Sequence, residues 1–415
     1  MRIPRSHENA VTLYGPAFAT DPAGAYRQIR ESYGPVAPVL LEGDVPAWLV
    51  LGYREVRYVT SNPQLFARSS AKWNLWEQVP PDWPLAPIIM PNPSATFLDG
   101  PERQRRVAAT NDSLDAIDRT DLTRACIRVA DQVIDQFCGD GRADLLAQYA
   151  VPIPLLVMAR ICGIPQEESA DVTRDMLLLG TATAEGAEAF GRAFGKIREL
   201  AAASRERPGR TLPHLLASHP AGLTDDEIAW ELFGIVIAAT GTSNWIGSAL
   251  RLMLIDDQFS LALQGGRASV EAALNEVLWK DSPLQNAPGG RYATQDCDLG
   301  GWRIGKGDMI VLGLAAASAD PAVRPERVDS VGANRAHLAF GHGEYACPYP
   351  AAEIAWVMAR TVTEVLLDRI PDVELAVPAE DLEWRQSVWM RSLKALPVTF
   401  TPSVTVSRPG ADLSG

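Results

Sequence analysis

Cysteine is scarce in this 415-residue sequence, and none of its five cysteines are spaced as CxxC. An odd number of scattered cysteines gives neither a disulfide framework nor the spacing of a zinc site. At least one of them is therefore a candidate ligand or nucleophile, and the others are expected to be small buried apolar residues. The five are Cys126, Cys138, Cys162, Cys297 and Cys347.

Basic charge is also in short supply. Lys and Arg number 38 against 51 Asp and Glu, which gives a formal net charge of −13. Since recognition of a nucleic-acid backbone depends on clustered Lys and Arg, a nucleic-acid partner is disfavoured. The start of the sequence shows no apolar segment behind its positive charges, and no secretory signal or lipidation motif is visible. A cytoplasmic location is the expectation.

One long stretch lacks charge altogether. Residues Leu232 to Leu250 carry no charged side chain, and 19 residues are long enough to span a bilayer. The stretch nevertheless contains Gly234, the polar run Thr240 to Asn244 and Gly247, and the charged residues before it are acidic. We therefore predict a buried core helix and no membrane span, with the polar break facing a ligand cavity.

The remaining chain reads as mainly helical. Apolar residues recur at helical spacing in Leu122 to Phe137 and again in Ala351 to Leu367. Strand signals are few and lie close to glycine-rich turns. They predict strands at Ala47 to Leu51, Arg291 to Ala293, Trp302 to Ile304 and Met309 to Leu314. The fold class predicted is mainly α with a small β region.

Cys347 lies where a glycine-rich loop feeds a helix. Backbone N–H groups at a helix start stabilise negative charge, so this position predicts a lowered pKa for the Cys347 thiol. The preceding residues are spaced as Phe340-Gly341-x-Gly343-x-x-x-Cys347. This spacing resembles the haem-binding loop of the cytochrome P450 family, which makes Cys347 the candidate axial ligand of a haem iron.

The resemblance covers nearly the whole chain and carries several implications. It implies a single domain over residues 1 to 415 with the triangular-prism haem-thiolate monooxygenase fold. It also implies haem b as the cofactor, with Phe340 packing near the thiolate of Cys347 and Gly341 allowing the loop to approach the porphyrin. A thiolate ligand donates electron density to the iron and favours O–O cleavage.

Further matches imply residues that bind the haem propionates. Arg291 and His337 match propionate-binding residues of the family. Arg103 stands where the family usually has a His, Arg106 is expected to substitute for a nearby Arg, and Tyr345 occupies a place where a basic residue often meets a propionate. A cation or N–H donor beside a buried carboxylate is what charge pairing requires.

The first departure from the family lies in its Glu-x-x-Arg motif, which here reads Glu276-Val277-Leu278-Trp279. An actinobacterial subgroup of the family has such a Trp. A buried carboxylate without a cation is unfavourable. We therefore predict that Glu276 pairs with Arg327, which lies in a segment resembling a second family motif of the same cluster.

Two further departures concern oxygen activation and the surroundings of the haem. The family's acid and Thr in the central helix are replaced by Thr240 and Gly241, so Thr240 and Thr242 are the candidate proton-delivering hydroxyls. After the cysteine, Pro348 to Pro350 stands in place of the usual Gly. This leaves haem orientation and redox potential open.

The resulting hypothesis is a monooxygenase that inserts one atom of O2 into a small organic substrate such as a secondary metabolite. Electrons are expected from a separate ferredoxin and its reductase, because the sequence shows no flavin or nucleotide fingerprint. Substrate contacts are expected from Trp73 to Ile89 and Phe233 to Thr240, with core packing as the alternative. Two other hypotheses stay open: a haem-binding sensor or partner protein without monooxygenase activity, and peroxide-driven oxidation.

Overall fold

The computed structural model describes residues 5–80, 83–178, 184–206, 209–256, 270–323 and 334–406. The α-helices are α1 (Pro16–Thr20), α2 (Pro22–Tyr33), α3 (Tyr53–Ser61), α4 (Ala86–Ile89), α5 (Gly100–Asp115), α6 (Arg119–Ile134), α7 (Pro152–Ile161), α8 (Gln166–Leu178), α9 (Ala184–Ala203), α10 (Leu212–Ser218), α11 (Asp225–Ile255), α12 (Val270–Lys280), α13 (Leu314–Ser318) and α14 (Tyr349–Arg369). The strands are β1 (Val11–Thr12), β2 (Val36–Leu41), β3 (Val45–Val50), β4 (Phe66–Ala67), β5 (Arg142–Asp144), β6 (Arg291–Ala293), β7 (Cys297–Leu299), β8 (Trp302–Ile304), β9 (Met309–Leu312), β10 (Glu374–Leu375) and β11 (Pro397–Thr399).

Contacts within the chain form two compact units, and the first contains most of the β structure. It comprises residues 1–108, 278–348 and 384–391. Its main sheet has six strands in the order β1-β2-β3-β9-β6-β4. In this sheet β6 pairs antiparallel with both β9 and β4, and Ala67 of β4 lies opposite Tyr292 of β6. This pairing brings Arg68, the next residue after β4, to the end of the strand that begins with Arg291.

Large aromatic residues fill the core of the first unit. Trp73 and Trp83 are 4% and 3% exposed, and their rings lie 5.6 Å apart. The ring of Tyr292 lies 6.2 Å from that of Trp73, and Trp83 Nε1 donates to the Glu42 carbonyl at 2.6 Å. Of the two roles considered for these tryptophans, core packing is therefore the one the structure shows.

The second unit is mainly helical and comprises residues 109–277, 349–383 and 392–415. Its longest described helix is α11, which begins with a capping box of Thr224 and Glu227. The two side chains accept hydrogen bonds from backbone N–H groups that have no partner within the helix. Trp245 in α11 packs edge-on against Trp356 of α14 at 4.7 Å and donates to the Leu274 carbonyl at 3.0 Å. The three-stranded sheet β10-β11-β5 also belongs to this unit.

The main fold predictions are confirmed. The uncharged stretch lies inside α11, and no helix among the described residues is long and apolar enough to cross a membrane. The predicted strands correspond to β3, β6, β8 and β9, and the predicted helices to α6 and α14. The strands that were not predicted are β1, β2, β4, β5, β7, β10 and β11. The single domain stays a prediction.

Candidate haem site

The loop that carries Cys347 folds back on itself. The Cys347 amide donates to the Phe340 carbonyl at 2.7 Å. Gly341 and Gly343 both have φ of 74°, in the left-handed region that glycine adopts without strain. A Cβ at Gly343 would lie 2.3 Å from the carbonyl oxygen of Thr60, near the end of α3. Glycine at this position therefore allows the loop to lie directly against the α3 backbone.

The surroundings of Cys347 correct one expectation. Its side chain is exposed, yet the protein atoms around it desolvate the sulfur enough to raise the pKa of the thiol to about 11. The Sγ donates weakly to the Pro348 carbonyl at 3.8 Å, and no backbone amide of the described residues donates to it. The predicted lowering of this pKa is therefore wrong for the protein alone. A coordinating metal ion deprotonates a thiol outright, so the raised pKa is compatible with a ligand role.

Three buried arginines lie close to this loop, and we call Arg68, Arg103 and Arg291 the guanidinium cluster. They are 6%, 6% and 4% exposed. Burial, together with repulsion by Arg68, lowers the pKa of Arg291 to about 9. Asp99, which immediately precedes α5, accepts the Arg68 amide at 3.1 Å. Arg68 and Asp99 were not predicted as site residues.

Arg103 joins α5 to the loop. Its Nη1 donates to the Glu344 carboxylate at 3.2 Å, and its Nη2 donates to the Glu344 carbonyl at 2.6 Å. Its Nε is buried and has no acceptor among the described residues. Arg291 Nη1 donates to the carbonyl of Gly290 at 2.9 Å. The guanidinium cluster therefore retains a buried donor that an anionic group is able to satisfy.

Tyr345 lies within this cluster. The Cζ atoms of Arg103 and Arg291 lie 4.0 Å and 4.7 Å from the centroid of its ring. Its hydroxyl donates to the Asp99 carboxylate, and the Leu98 carbonyl is 3.1 Å away. Burial and the Asp99 hydrogen bond raise the pKa of Tyr345 above its ordinary value. The position predicted to contact a propionate thus carries a neutral ring.

His337 lies in the same unit and is buried beside the rings of Trp279 and Phe340. Burial, with repulsion by Arg335, lowers the pKa of His337 to about 4. Its Nδ1 accepts the Ala339 amide at 3.3 Å, and its Nε2 is buried without a partner in the described chain. Trp279 lies edge-on to the His337 ring at 5.7 Å and donates to the Asn334 carbonyl at 2.8 Å. The Trp that replaces the family's Arg therefore still serves as an N–H donor.

Two other predictions concern Arg106 and the pair formed by Glu276 and Arg327. Arg106 is held by the Glu102 carboxylate at 2.8 Å and by the Pro93 carbonyl at 2.5 Å. Glu276 lies on α12 and is buried, at 5% exposure. Arg327 lies outside the described residues, so the pair Glu276–Arg327 stays a prediction.

The second unit contains the predicted oxygen-activation residues. Thr240 donates its hydroxyl to the Ile237 carbonyl of the same helix at 2.8 Å, and Thr242 is buried. Apart from the adjoining residues and backbone of α11 itself, no atom of the described chain lies within 4 Å of the place that a Cβ would take at Gly241. Ala238, one turn before, is exposed. The side of α11 that carries Ala238 and Gly241 therefore has space for a larger side chain or a ligand.

Aromatic rings surround Phe233, which lies in α11 before Ala238 and Gly241. Phe190 and Phe194 of α9 lie 5.4 Å and 5.6 Å from the Phe233 ring, and Trp230 lies 6.1 Å from it. The Phe190 side chain is 37% exposed. These four residues form an aromatic cluster on the surface of the second unit.

The donor set described above fits a haem. Haem presents two propionates, which need cations or N–H donors where they are buried. The guanidinium cluster and the buried nitrogen atoms of Arg103 and His337 that lack partners in the described chain supply such groups. Cys347 supplies a sulfur ligand of the kind that haem iron accepts.

Comparisons with known proteins place this site in context. Cytochrome P450 105C1 of a Streptomyces species is 32% identical over 384 residues, covering 91% of this chain and 95% of that protein. Biflaviolin synthase of Streptomyces coelicolor is 30% identical over 407 residues, covering 94% and 95%. The solved structure of CYP154C4 from Streptomyces sp. W2061 superposes with a TM-score of 0.83 at 23% identity and covers 94% of this chain and 97% of that one. No protein-family model matches the sequence.

Proposed function

The chain belongs to the cytochrome P450 family, and we propose that it is a ferredoxin-dependent monooxygenase in which the Cys347 thiolate would bind the haem iron. Members of the family are oxidoreductases that bind haem b, and the bound haem supplies the activation of O2 and the insertion of one oxygen atom into a substrate. The guanidinium cluster beside Tyr345, two residues from Cys347, is the observation that carries the proposal.

The roles of the other residues follow from their contacts. Arg103 and Arg291 would bind the haem propionates, with His337 as a third donor. The turn at Gly341 would hold Cys347 for binding to the iron, and the Cys347 amide donates to the Phe340 carbonyl across this turn. Arg106 contributes indirectly, because its side chain is engaged by Glu102 and Pro93.

In this proposal the substrate contacts α11 beside Gly241, and threonine hydroxyls of the same helix hold protons. The hydroxyl of Thr240 donates to a helix carbonyl, so its oxygen is left to accept a hydrogen bond from water. Thr242 provides a second, buried hydroxyl. We propose a small, largely apolar substrate of secondary metabolism, in line with the aromatic cluster around Phe233 and with the name of the biflaviolin synthase relative. A single domain and a cytoplasmic location stay predictions.

The test is the absorption spectrum of the reduced protein with carbon monoxide. A thiolate-ligated haem gives a strongly red-shifted Soret band, and Cys347→Ala is expected to abolish it. Cys297→Ala is the matched control, because Cys297 is partly exposed and lies on β7. A wild-type protein that binds no haem, or an unchanged band in Cys347→Ala, would refute the assignment of the ligand.

Peroxide-driven oxidation is a second candidate, and a specific observation favours it. Gly241 stands at the place of the family's usual Thr, and the Thr240 hydroxyl is already donated to Ile237. Turnover with NAD(P)H, a surrogate ferredoxin and its reductase supports the first proposal. Turnover with hydrogen peroxide alone supports the second. Haem binding without turnover under either condition leaves the sensor or partner protein.

A further inference from the structure

Tyr345 occupies a position where the family often has a basic residue, yet its hydroxyl is engaged by groups of the protein itself. The hydroxyl donates to Asp99, and the carbonyl of Leu98 lies 3.1 Å from it. Asp99 also accepts the amide of Arg68. The polar end of Tyr345 is therefore fixed to the segment that immediately precedes α5.

The ring of Tyr345 contacts two members of the guanidinium cluster. Arg103 lies at 4.0 Å and Arg291 at 4.7 Å from the ring centroid, well inside the range of cation–π attraction. Both arginines are buried, where repulsion between cations is only weakly screened. An aromatic face is a partner for two cations that adds no competing negative charge.

We propose that Tyr345 is a positioning residue that acts through Arg103 and Arg291: its ring holds both guanidiniums beside the Cys347 loop, and Asp99 holds the ring. The inference rests on the proposed function, in which these arginines bind the haem propionates. In this chain the contribution of position 345 to haem binding is therefore indirect, through the arrangement of two arginines.

The experiment measures the rate of haem loss from the holoprotein to an excess of a haem-free globin. Tyr345→Leu removes both the ring and the hydroxyl, whereas Tyr345→Phe keeps the ring. We expect haem loss about tenfold faster or more in Tyr345→Leu, because two desolvated cation–π contacts are lost. A clearly smaller increase is expected in Tyr345→Phe.

Tyr14→Phe is the matched control. Tyr14 also donates its hydroxyl to an aspartate, Asp44, at 2.7 Å, but this pair is exposed and is not part of the cluster. Its removal should leave haem loss unchanged. If Tyr345→Leu does not fold, Tyr345→Met is the second ringless variant, with an unbranched side chain that adapts to irregular packing.

A double-mutant cycle separates positioning from a purely structural role. If Tyr345 acts through Arg103, the combined effect of Tyr345→Leu and Arg103→Gln on the rate should be clearly smaller than the product of the single effects. Effects that multiply would overturn the inference. So would a Tyr345→Leu rate equal to that of Tyr14→Phe in a protein whose wild type shows the thiolate spectrum. A wild type without that spectrum would instead refute the proposed function itself.

Discussion

Replacing Gly343 by alanine tests how closely the Cys347 loop is held against α3. The new Cβ would lie 2.3 Å from the Thr60 carbonyl oxygen and 3.0 Å from its carbon. These are backbone atoms, so no side-chain rotation relieves the overlap. The positive φ of 74° adds its own strain. We expect about 1–2 kcal/mol from the backbone conformation and about 1–3 kcal/mol from the overlap.

Gly301→Ala separates these two contributions. Gly301 has a φ of 88°, and apart from its two chain neighbours no atom of the described chain lies within 4 Å of the place that a Cβ would take. It therefore reports the conformational strain alone. Gly341→Ala is a second comparison within the loop, because its nearest contact would be an ordinary 3.4 Å to Ala346 Cα.

The assay is urea unfolding of the holoprotein, followed by fluorescence, with haem content measured in parallel. Gly343→Ala should lose about 1–3 kcal/mol more unfolding free energy than Gly301→Ala, and it should also lose haem. Equal losses in the two variants would refute the reasoning, because they would mean that the Thr60 backbone does not limit the loop.

Three other predictions concern single side chains. Trp279→Phe removes the N–H that is donated to the Asn334 carbonyl and keeps a ring against His337. The free energy of unfolding, measured with denaturant, should therefore fall by about 1 kcal/mol. Gly241→Thr adds a hydroxyl where there is open space, and should raise ferredoxin-driven turnover relative to peroxide-driven turnover severalfold; an unchanged ratio would contradict this. Burial lowers the pKa of His337 to about 4, whereas the unfolded side chain has a pKa of about 6.5. Between pH values of about 4 and about 6.5 the unfolded chain therefore binds more protons than the native protein. In haem-free protein the unfolding free energy should therefore fall by up to about 3 kcal/mol as pH falls through this range, and His337→Gln should flatten the profile.

Local patterns were sufficient for much of the fold. The glycines near β6, β8 and β9 marked short strands, and the helical spacing of apolar residues marked α6 and α14. Strand β2 was not predictable from its pattern, because Pro38 interrupts a short apolar run and proline disfavours a strand in the middle of a sheet. In the structure Pro38 pairs with Trp48 of β3, and pairing with β1 begins only at Val39. The proline thus lies outside the part of β2 that has strands on both sides.

The site was predictable only where a motif carried it. The spacing around Cys347 identified the loop, and Arg103 and Arg291 were named from their resemblance to family positions. Arg68 lies in no motif, and Asp99 immediately precedes the helix start that carries Arg103; sheet pairing and this helix start bring the two residues to the site. Such non-local contacts leave no periodic signal in the sequence. The pKa of Cys347 was misjudged because the helix-start argument considered nearby dipoles and left out desolvation.

The guanidinium cluster also links the lifetime of this protein to haem supply. Buried like charges are a local conflict in an otherwise consistent core, and a ligand that resolves the conflict only in the native state stabilises that state by mass action. Each tenfold rise in free haem above the dissociation constant would add about 1.4 kcal/mol to the native state. In a cell short of haem, chains with the cluster unsatisfied would unfold more often and be degraded sooner. Haem availability would then set the abundance of the protein as well as its activity.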